Sequence, residues 1–538
     1  MSTTTAPKQH QKGEMKEGKE GEKNIRQTNI IAAKSVADAV RTSLGPRGMD
    51  KMIISPNGET IITNDGATIL QQLKLQHPCA LMMSELSKSQ DIEAGDGTTT
   101  VTILAGAMLS AANILLNKGV NPSVIARAFH LSSAKSAEIL KEASIPIELT
   151  DRESLLKAAN TSLNSKVVNQ SSQTFAPIAV DSVMKVIDIN TATNVDLRNI
   201  RITKKIGGTI DDTELIDGLV FLQKASHVSG GPTHIENAKI GVCQFCISPP
   251  KTNMDGNVVI TDYAQMDKVL KEERAYTLKL CRAIQKSGCN VLLIQKSILR
   301  EGVSDLALHF LAKLKIMVVK DIERDDIEFI CKTIEAVPIA SIDGFTEDKL
   351  GHAENVEEVS IEDEDKIVKI TGVKGTAPCV SVLVRGANRL VLDEAERSLH
   401  DALCVVRSLV KCKYLCPGGG AMEMELCCKL KQWAETLKGE YGLCVKEYAE
   451  AFEIIPYTLA ENAGLNPMEL VTQLKLAHLN GEKNAGISMR KDNKVQGSVD
   501  DMTSLNVVNP LLVFLSAVKL ATDTVALILK IDNIVVAR

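Results

Sequence analysis

Aromatic residues are scarce in this chain: 538 residues hold one tryptophan, six tyrosines and nine phenylalanines. An excess of either charge is missing too, since 62 Lys and Arg face 67 Asp and Glu for a net charge of -5. Without stacking platforms or a basic surplus, nucleic-acid binding is excluded. Long apolar runs are also lacking: the longest, Val101–Leu116, is broken by Thr102, Ser110 and Asn113 and falls short of a bilayer span, so it reads as a buried helix with no membrane partner. The N-terminal stretch has no apolar core and carries acidic residues, which argues against a secretory or mitochondrial leader and for a solvated tail over residues 1–28 of a cytosolic protein. The 13 cysteines form no paired CxxC clusters near histidines. Cys243 and Cys246 form one CxxC, but an odd offset in a strand-like run points them to opposite faces, so the cysteines read as reduced, buried small hydrophobes. No GxxxxGK[ST] phosphate loop occurs.

What is present is enough chain for two to four domains, with 44% apolar and 24% charged residues, the balance of a soluble globular protein. Helical periodicity runs from Asn29 to Leu140, interrupted by a hairpin signal at Pro56, Asn57 and Gly58, and returns from Gly420 to Leu529. Pro510 opens the last long helix, and Ile531–Arg538 reads as a closing strand. Between the flanks, short β-branched runs such as VLLIQ and VSVLVRG alternate with helical segments, the texture of an α/β or α+β domain. Phosphate-type glycine motifs occur in both flanks, so the two ends are expected to fold together with the middle as an insertion. Within the insertion, a polar Pro/Gly-marked loop precedes a charged helix ending near Lys286 that lies on a surface or projects from it, and Glu354–Lys366 is an exposed acidic connection.

Five segments carry chemistry. NDGATIL around Asp65 and GDGTTT around Asp96 both place Asp-Gly-x-Thr at a helix start. Each aspartate alone reads as an N-cap worth about 0.5–2 kcal/mol. Gly95, Gly97 and the hydroxyls of Thr98, Thr99 and Thr100 instead suit a phosphate at the positive end of a helix dipole, where Asp96 is a hard oxygen ligand for Mg²⁺. The lysine that a phosphate loop would supply must come from elsewhere, and Lys166 in TSLNSK is the candidate; its bland alternative is a surface lysine. TSLGPRGMDKM, with Gly45 and Pro46, is a tight turn or an amide-rich nucleotide contact. CPGGGAME carries three glycines, more than a helix cap needs, which points to backbone contact with a nucleotide. Asp401 lies off the apolar stripe of the helix through Leu399, Leu403, Val406 and Val410; it is either solvated or a carboxylate that orients or deprotonates water.

In this order and at these distances the five segments resemble those of the group II chaperonins, along essentially the whole chain beyond the tail. The resemblance implies a multidomain α/β chaperonin fold. Its parts are a mostly helical equatorial ATPase domain (29–152 and 412–538), an α+β intermediate hinge domain (153–224 and 378–411) and an α/β apical domain (225–377) with a helical protrusion at about 250–286. It further implies ATP/ADP and Mg²⁺ as cofactors, Asp96 as metal ligand, and Leu44, Gly45, Pro46, Gly97, Thr98, Thr99, Thr100, Gly419 and Gly420 as nucleotide contacts. Asp65 and Asp401 would position and activate water, and Asn164, Ser165 and Lys166 would sense the γ-phosphate, with Lys166 also catalytic. Asn509 stands where relatives often carry an acidic ribose contact. Hydrolysis would bring the Asp401 and Asp96 segments together and swing a lid over a client. The implied partners are paralogous subunits in a hetero-oligomeric double ring and non-native clients such as actin and tubulin, with no nucleic acid and no membrane. Client contact is expected along Ser304–Lys315, whose alternative is a core helix with one wet face. Two rival readings are a ring subunit that binds ATP without hydrolysing it, and a small-molecule kinase or ligase using the same phosphate loop.

Overall fold

In the computed structural model the chain divides into two units, one formed by Met1–Ile147 with Tyr414–Arg538 and the other by Glu148–Lys413. The structure describes residues 19–55, 58, 60–189, 192–226, 230–248, 262–298, 300–361, 366–373, 379–492 and 495–535. The first unit begins with α1 (Lys19–Arg41), the hairpin β1 (Lys51–Ile54) and β2 (Thr60–Thr63), and α2 (Gly66–Gln72). It continues through α3 (Pro78–Glu93), α4 (Thr98–Asn117), α5 (Pro122–Ala143) and the short β3 (Ile145–Pro146).

The second unit opens with α6 (Arg152–Leu163), α7 (Ser172–Val186), β4 (Ile200–Ile206), β5 (Glu214–Ile216), β6 (Gly218–Phe221) and β7 (His234–Cys243). Next come α8 (Tyr263–Lys286), β8 (Val291–Gln295), α9 (Asp305–Lys313), β9 (Met317–Ile322) and α10 (Arg324–Ile334). The unit ends with β10 (Gly351–Ser360), β11 (Lys366–Val373), β12 (Val380–Gly386) and α11 (Arg389–Lys411). The chain then returns to the first unit with β13 (Tyr414–Pro417), α12 (Ala421–Thr436), α13 (Glu440–Ala451), α14 (Ile454–Asn462), α15 (Pro467–Leu479), β14 (Ala485–Asp492), β15 (Val495–Asp501), β16 (Val508–Pro510) and α16 (Leu511–Lys530).

In the first unit α4 is apolar on nearly every face and is covered by α1, α3, α13 and α16, while β16, β13 and β3 form one small antiparallel sheet that joins residues far apart in sequence. By length and composition α4 and α16 each pass for a membrane span, but more than half of each is buried inside the unit. In the second unit, a six-stranded sheet in the order β6-β11-β10-β7-β8-β9 has β7, β8 and β9 parallel. Parallel strands are covered on both faces. β8 shows it residue by residue: Val291 and Leu293 enter the core beside α10, Leu292 and Ile294 the core under α8 and α9. A second sheet, β4-β12-β5, lies with α6, α7 and α11.

Three expectations change. Helix α1 starts at Lys19, inside the stretch expected as a tail, because a helix nucleated on the stripe Ile30, Ala33, Val36, Ala37 and Val40 extends outward at little cost. Residues 531–535 are irregular rather than a strand, since no neighbouring strand of this chain pairs with them among the described residues. Helix α9 turns Ala307, Leu308 and Leu311 into the core, so the wet-face alternative holds for those side chains and only Asp305, Lys313 and their neighbours face water. The polar loop at 249–261 lies outside the described residues; the first half of α8, from Tyr263 to Leu270, is exposed all round.

Candidate functional site

Two helices of the first unit begin against each other. Asp65 is the N-cap of α2, accepting from the Ala67 and Thr68 amides at 3.4 and 3.0 Å and from the Thr68 hydroxyl at 2.7 Å. Oδ1, which takes the Ala67 amide, also accepts from the Thr98 hydroxyl, in the first turn of α4, at 2.9 Å. A Cβ on Gly66 would lie 2.7 Å from the Thr99 hydroxyl and 2.9 Å from its amide, so only glycine lets the two N-termini approach this closely. Their dipoles add at one place, where the Thr98 hydroxyl meets Asp65 and the Thr99 hydroxyl faces Gly66.

Asp96 differs from its twin. The N-cap of α4 is Gly97, at φ +75, and not Asp96 as the shared motif suggested. Asp96 keeps one oxygen on the Gly97 amide, 2.7 Å away, and meets no cation or hydroxyl among the described residues. Its backbone is held by Gln90, whose amide donates to the Asp96 carbonyl at 2.9 Å and to the Val513 carbonyl at 3.3 Å. Sequence reasoning missed Gln90. The signal was there, because Gln90 continues the buried face of Cys79, Met83 and Leu86, where a polar residue needs a partner.

From Val513 the remaining segments follow by close approach. A Cβ on Gly97 would lie 2.9 Å from the Val513 side chain at the start of α16. Four residues earlier, Asn509 pairs with Cys416 across β16 and β13, and its amide nitrogen lies 3.7 Å from where a Cβ on Gly418 would sit. Gly419 and Gly420, at φ +63 and +82, turn the chain into α12, with Gly420 against Pro456 of α14. One turn along α14, Leu459 packs so tightly on Gly45 that a Cβ there would lie 2.6 Å away. Asn462 then donates to the Arg41 and Leu44 carbonyls, at 3.1 and 2.9 Å, fixing the turn at Gly45 and the exposed Pro46. Leu44 contributes a buried side chain to the core. Thus Gly45, Asp65, Asp96, Thr98, Gly420 and Asn509 belong to one continuous set of contacts in the first unit.

Acidic groups behind this set are tuned in opposite directions. Burial pushes Glu423, in the first turn of α12, up to about 7. Glu453 at the start of α14 is raised by burial, but hydrogen bonds from Lys431, Lys475 and Cys427 outweigh it and hold the carboxyl at about 2. Glu425 is likewise raised by burial and lowered more by His478 and Lys429.

In the second unit the predicted lysine and the predicted base meet. Lys166, just past the end of α6, pairs with Asp401 of α11 at 2.6 Å, with side chains only 9% and 11% exposed. Neither is the solvated residue of the bland reading. Asn164 caps α6, and the Ser165 hydroxyl donates to the Ser162 carbonyl at 2.7 Å, so the three-residue loop is held in register with α11.

The residues of the first unit fit a metal-bound nucleotide. Convergent helix N-termini and glycines at positive φ form an anion cradle, and Asp96 offers a largely unengaged carboxylate beside it. Among the described residues no three His, Cys, Asp or Glu side chains cluster, so a divalent ion there would take its other ligands from phosphate and water. Burial pushes the thiols of Cys281 up to about 11 and of Cys289 to about 12, away from the thiolate that redox and metal chemistry need.

The sequence profile of the TCP-1/cpn60 chaperonin family matches residues 36–538. The T-complex protein 1 subunit delta of Dictyostelium discoideum is 61% identical over 520 residues, covering 97% of this chain and 96% of that protein. The subunits delta of Schizosaccharomyces pombe and Homo sapiens are each 58% identical, over 520 and 514 residues, covering 97% and 96% of this chain and 98% and 94% of theirs. With the motifs, the glycine turns and the near full-length identity agreeing, the chain belongs to the TCP-1/cpn60 chaperonin family, as a group II chaperonin subunit of the delta type.

Proposed function

We propose that this subunit binds Mg·ATP in the first unit and hydrolyses it to drive the folding of non-native proteins within a hetero-oligomeric ring of paralogous subunits in the cytosol, actin and tubulin among its clients. Membership of a chaperonin family disposes of the small-molecule kinase or ligase reading. The observation that carries the proposal is the meeting of the α2 and α4 N-termini beside Asp96. There the amides of Thr98, Thr99 and Thr100 and the hydroxyls of Thr99 and Thr100 would hold phosphate oxygens beside the Gly97 turn, and Asp96 would hold the metal, which when bound offsets charge on the phosphates. Asp65 keeps Thr98 oriented and presents a carboxylate to water, while Gly45, Pro46, Gly419, Gly420 and Asn509 lie along the ribose and base. The regions 153–224 with 378–411 and 225–377 serve as hinge and client-binding domains.

Lys166 and Asp401 form the second part of the machinery. Their ion pair holds the buried carboxylate directly against the ammonium, 2.6 Å apart. A phosphate that draws the Lys166 ammonium to itself leaves Asp401 able to orient and deprotonate water, an effect of about 10²–10⁴ in rate. The test is a purified ring with Asp401→Ala in this subunit alone. Single-turnover hydrolysis by this subunit should fall at least about a hundredfold, with ATP binding retained; unchanged hydrolysis would favour the reading in which the subunit only binds ATP.

A further inference from the structure

The glycine turn Gly418–Gly420 does not hold its own shape. Behind it stands β14, where the Ile487 amide donates to the Gly419 carbonyl at 2.9 Å. Gly486 lies so near that a Cβ would sit 3.0 and 3.1 Å from the Gly418 and Gly419 carbonyl oxygens. A strand this close fixes the turn only if the strand itself is fixed.

That is the work of two buried residues outside the chemistry described so far. His478 on α15 places Nε2 2.9 Å from the Ala485 carbonyl, the first residue of β14, and Nδ1 2.9 Å from Oε2 of Glu425 on α12. Glu425 also pairs with Lys429 at 3.1 Å. The His478 side chain is fully buried and that of Glu425 is 5% exposed. A carbonyl and a carboxylate are both acceptors, and His478 bridges them with one ring nitrogen facing each. The result is a closed circuit: Gly419 leads into α12, α12 carries Glu425, Glu425 holds His478, His478 holds Ala485, and Ile487 returns to Gly419.

We propose that His478 and Glu425 are positioning residues for nucleotide binding, setting the Gly418–Gly420 turn, and hence affinity at the ribose and base end, without touching the ligand. The inference rests on the nucleotide-site reading above. A hydrogen bond to a buried carboxylate is strong, and removing the imidazole leaves the Ala485 carbonyl without its side-chain partner, so the effect should be large and local. It also gives a role to a histidine on a helix whose sequence shows no motif.

The experiment uses the assembled ring, with His478→Ala, His478→Gln and Glu425→Gln made separately in this subunit and assembly checked by native mass. Occupancy of the subunit is read by photolabelling with an azido analogue of ATP, and backbone order by hydrogen exchange. His478→Ala should raise the half-saturating nucleotide concentration about tenfold and speed exchange across residues 485–488, leaving exchange in α4 unchanged. Glu425→Gln and His478→Gln, which each keep part of the circuit, should fall between that variant and wild type and carry the test if His478→Ala does not assemble. Wild-type half-saturation in assembled variants would overturn the inference, and so would a uniform loss of protection throughout the first unit. Asp96→Ala is run alongside: normal labelling there would mean that the nucleotide-site reading itself has failed.

Discussion

The two Asp-Gly-x-Thr segments of the first unit look alike in sequence and do different things. At the start of α2 the carboxylate of Asp65 accepts from two amides and two hydroxyls of the protein. At the start of α4 a glycine takes the cap position and Asp96 is left with little to do within the protein. A carboxylate that its own fold satisfies is structural first, whereas one that the fold leaves unsatisfied beside an anion cradle is where a cation belongs. The same contrast recurs deeper in the unit, between Glu453, satisfied by two lysines, and Glu423, buried with one oxygen unpartnered.

The sharpest way to break the comparison is to remove each aspartate in turn. Asp96→Ala should weaken Mg²⁺-dependent labelling of this subunit by ATP analogues more than about a hundredfold, a large effect because a metal ligand is lost. It should leave thermal stability of the full chain unchanged. Asp65→Ala should lower stability by about 1–2 kcal/mol, as an N-cap does. Equal melting losses for both variants would erase the distinction.

The glutamates give a pair of opposite pH signatures, readable by urea unfolding of the full chain. Because Glu423 is pushed up to about 7 when folded, its contribution is complete below about pH 4.5 and is lost as pH rises through 7. Glu423→Gln removes that loss, so its stability relative to wild type should climb by about 3 kcal/mol between pH 4.5 and pH 8. A flat difference would show that the carboxyl finds a partner. Glu453 is held at about 2, so its contribution is present above about pH 4.5 and fades as pH falls through 2. Glu453 is partly exposed and solvent screens it, so Glu453→Gln should cost only about 1–2 kcal/mol at pH 7, shrinking toward zero near pH 2.

Much of this was legible in the chain. The helical flanks, the hairpin at Gly58, the Pro510 start of α16 and the glycine clusters all announce themselves through local chemistry that acts over a few residues. What was not legible depends on who sits opposite whom. The extra glycines and threonines around Asp96 set it apart from Asp65, but that Gly97 and not Asp96 caps α4 is decided only by the backbone angle of Gly97. Leu308 and Leu311 of α9 could face a client or a core, and only the sheet beneath decides for the core. Gln90, Asn462 and His478 hold the site from outside its motifs, and a lone polar residue on a buried face is the only trace they leave.

The cover that α16 gives α4 has a bearing on how the protein is made. Nearly 400 residues separate Asn117 from Leu511 in the chain, so at ribosomal rates of about 5–20 residues per second α4 waits roughly 20–80 s for the helix that covers it. Through that interval a segment apolar enough to enter a bilayer stands incompletely covered, while the whole of Glu148–Lys413 has time to fold as a unit of its own. A chain of this family is therefore, during its own synthesis, the kind of molecule that needs a chaperone.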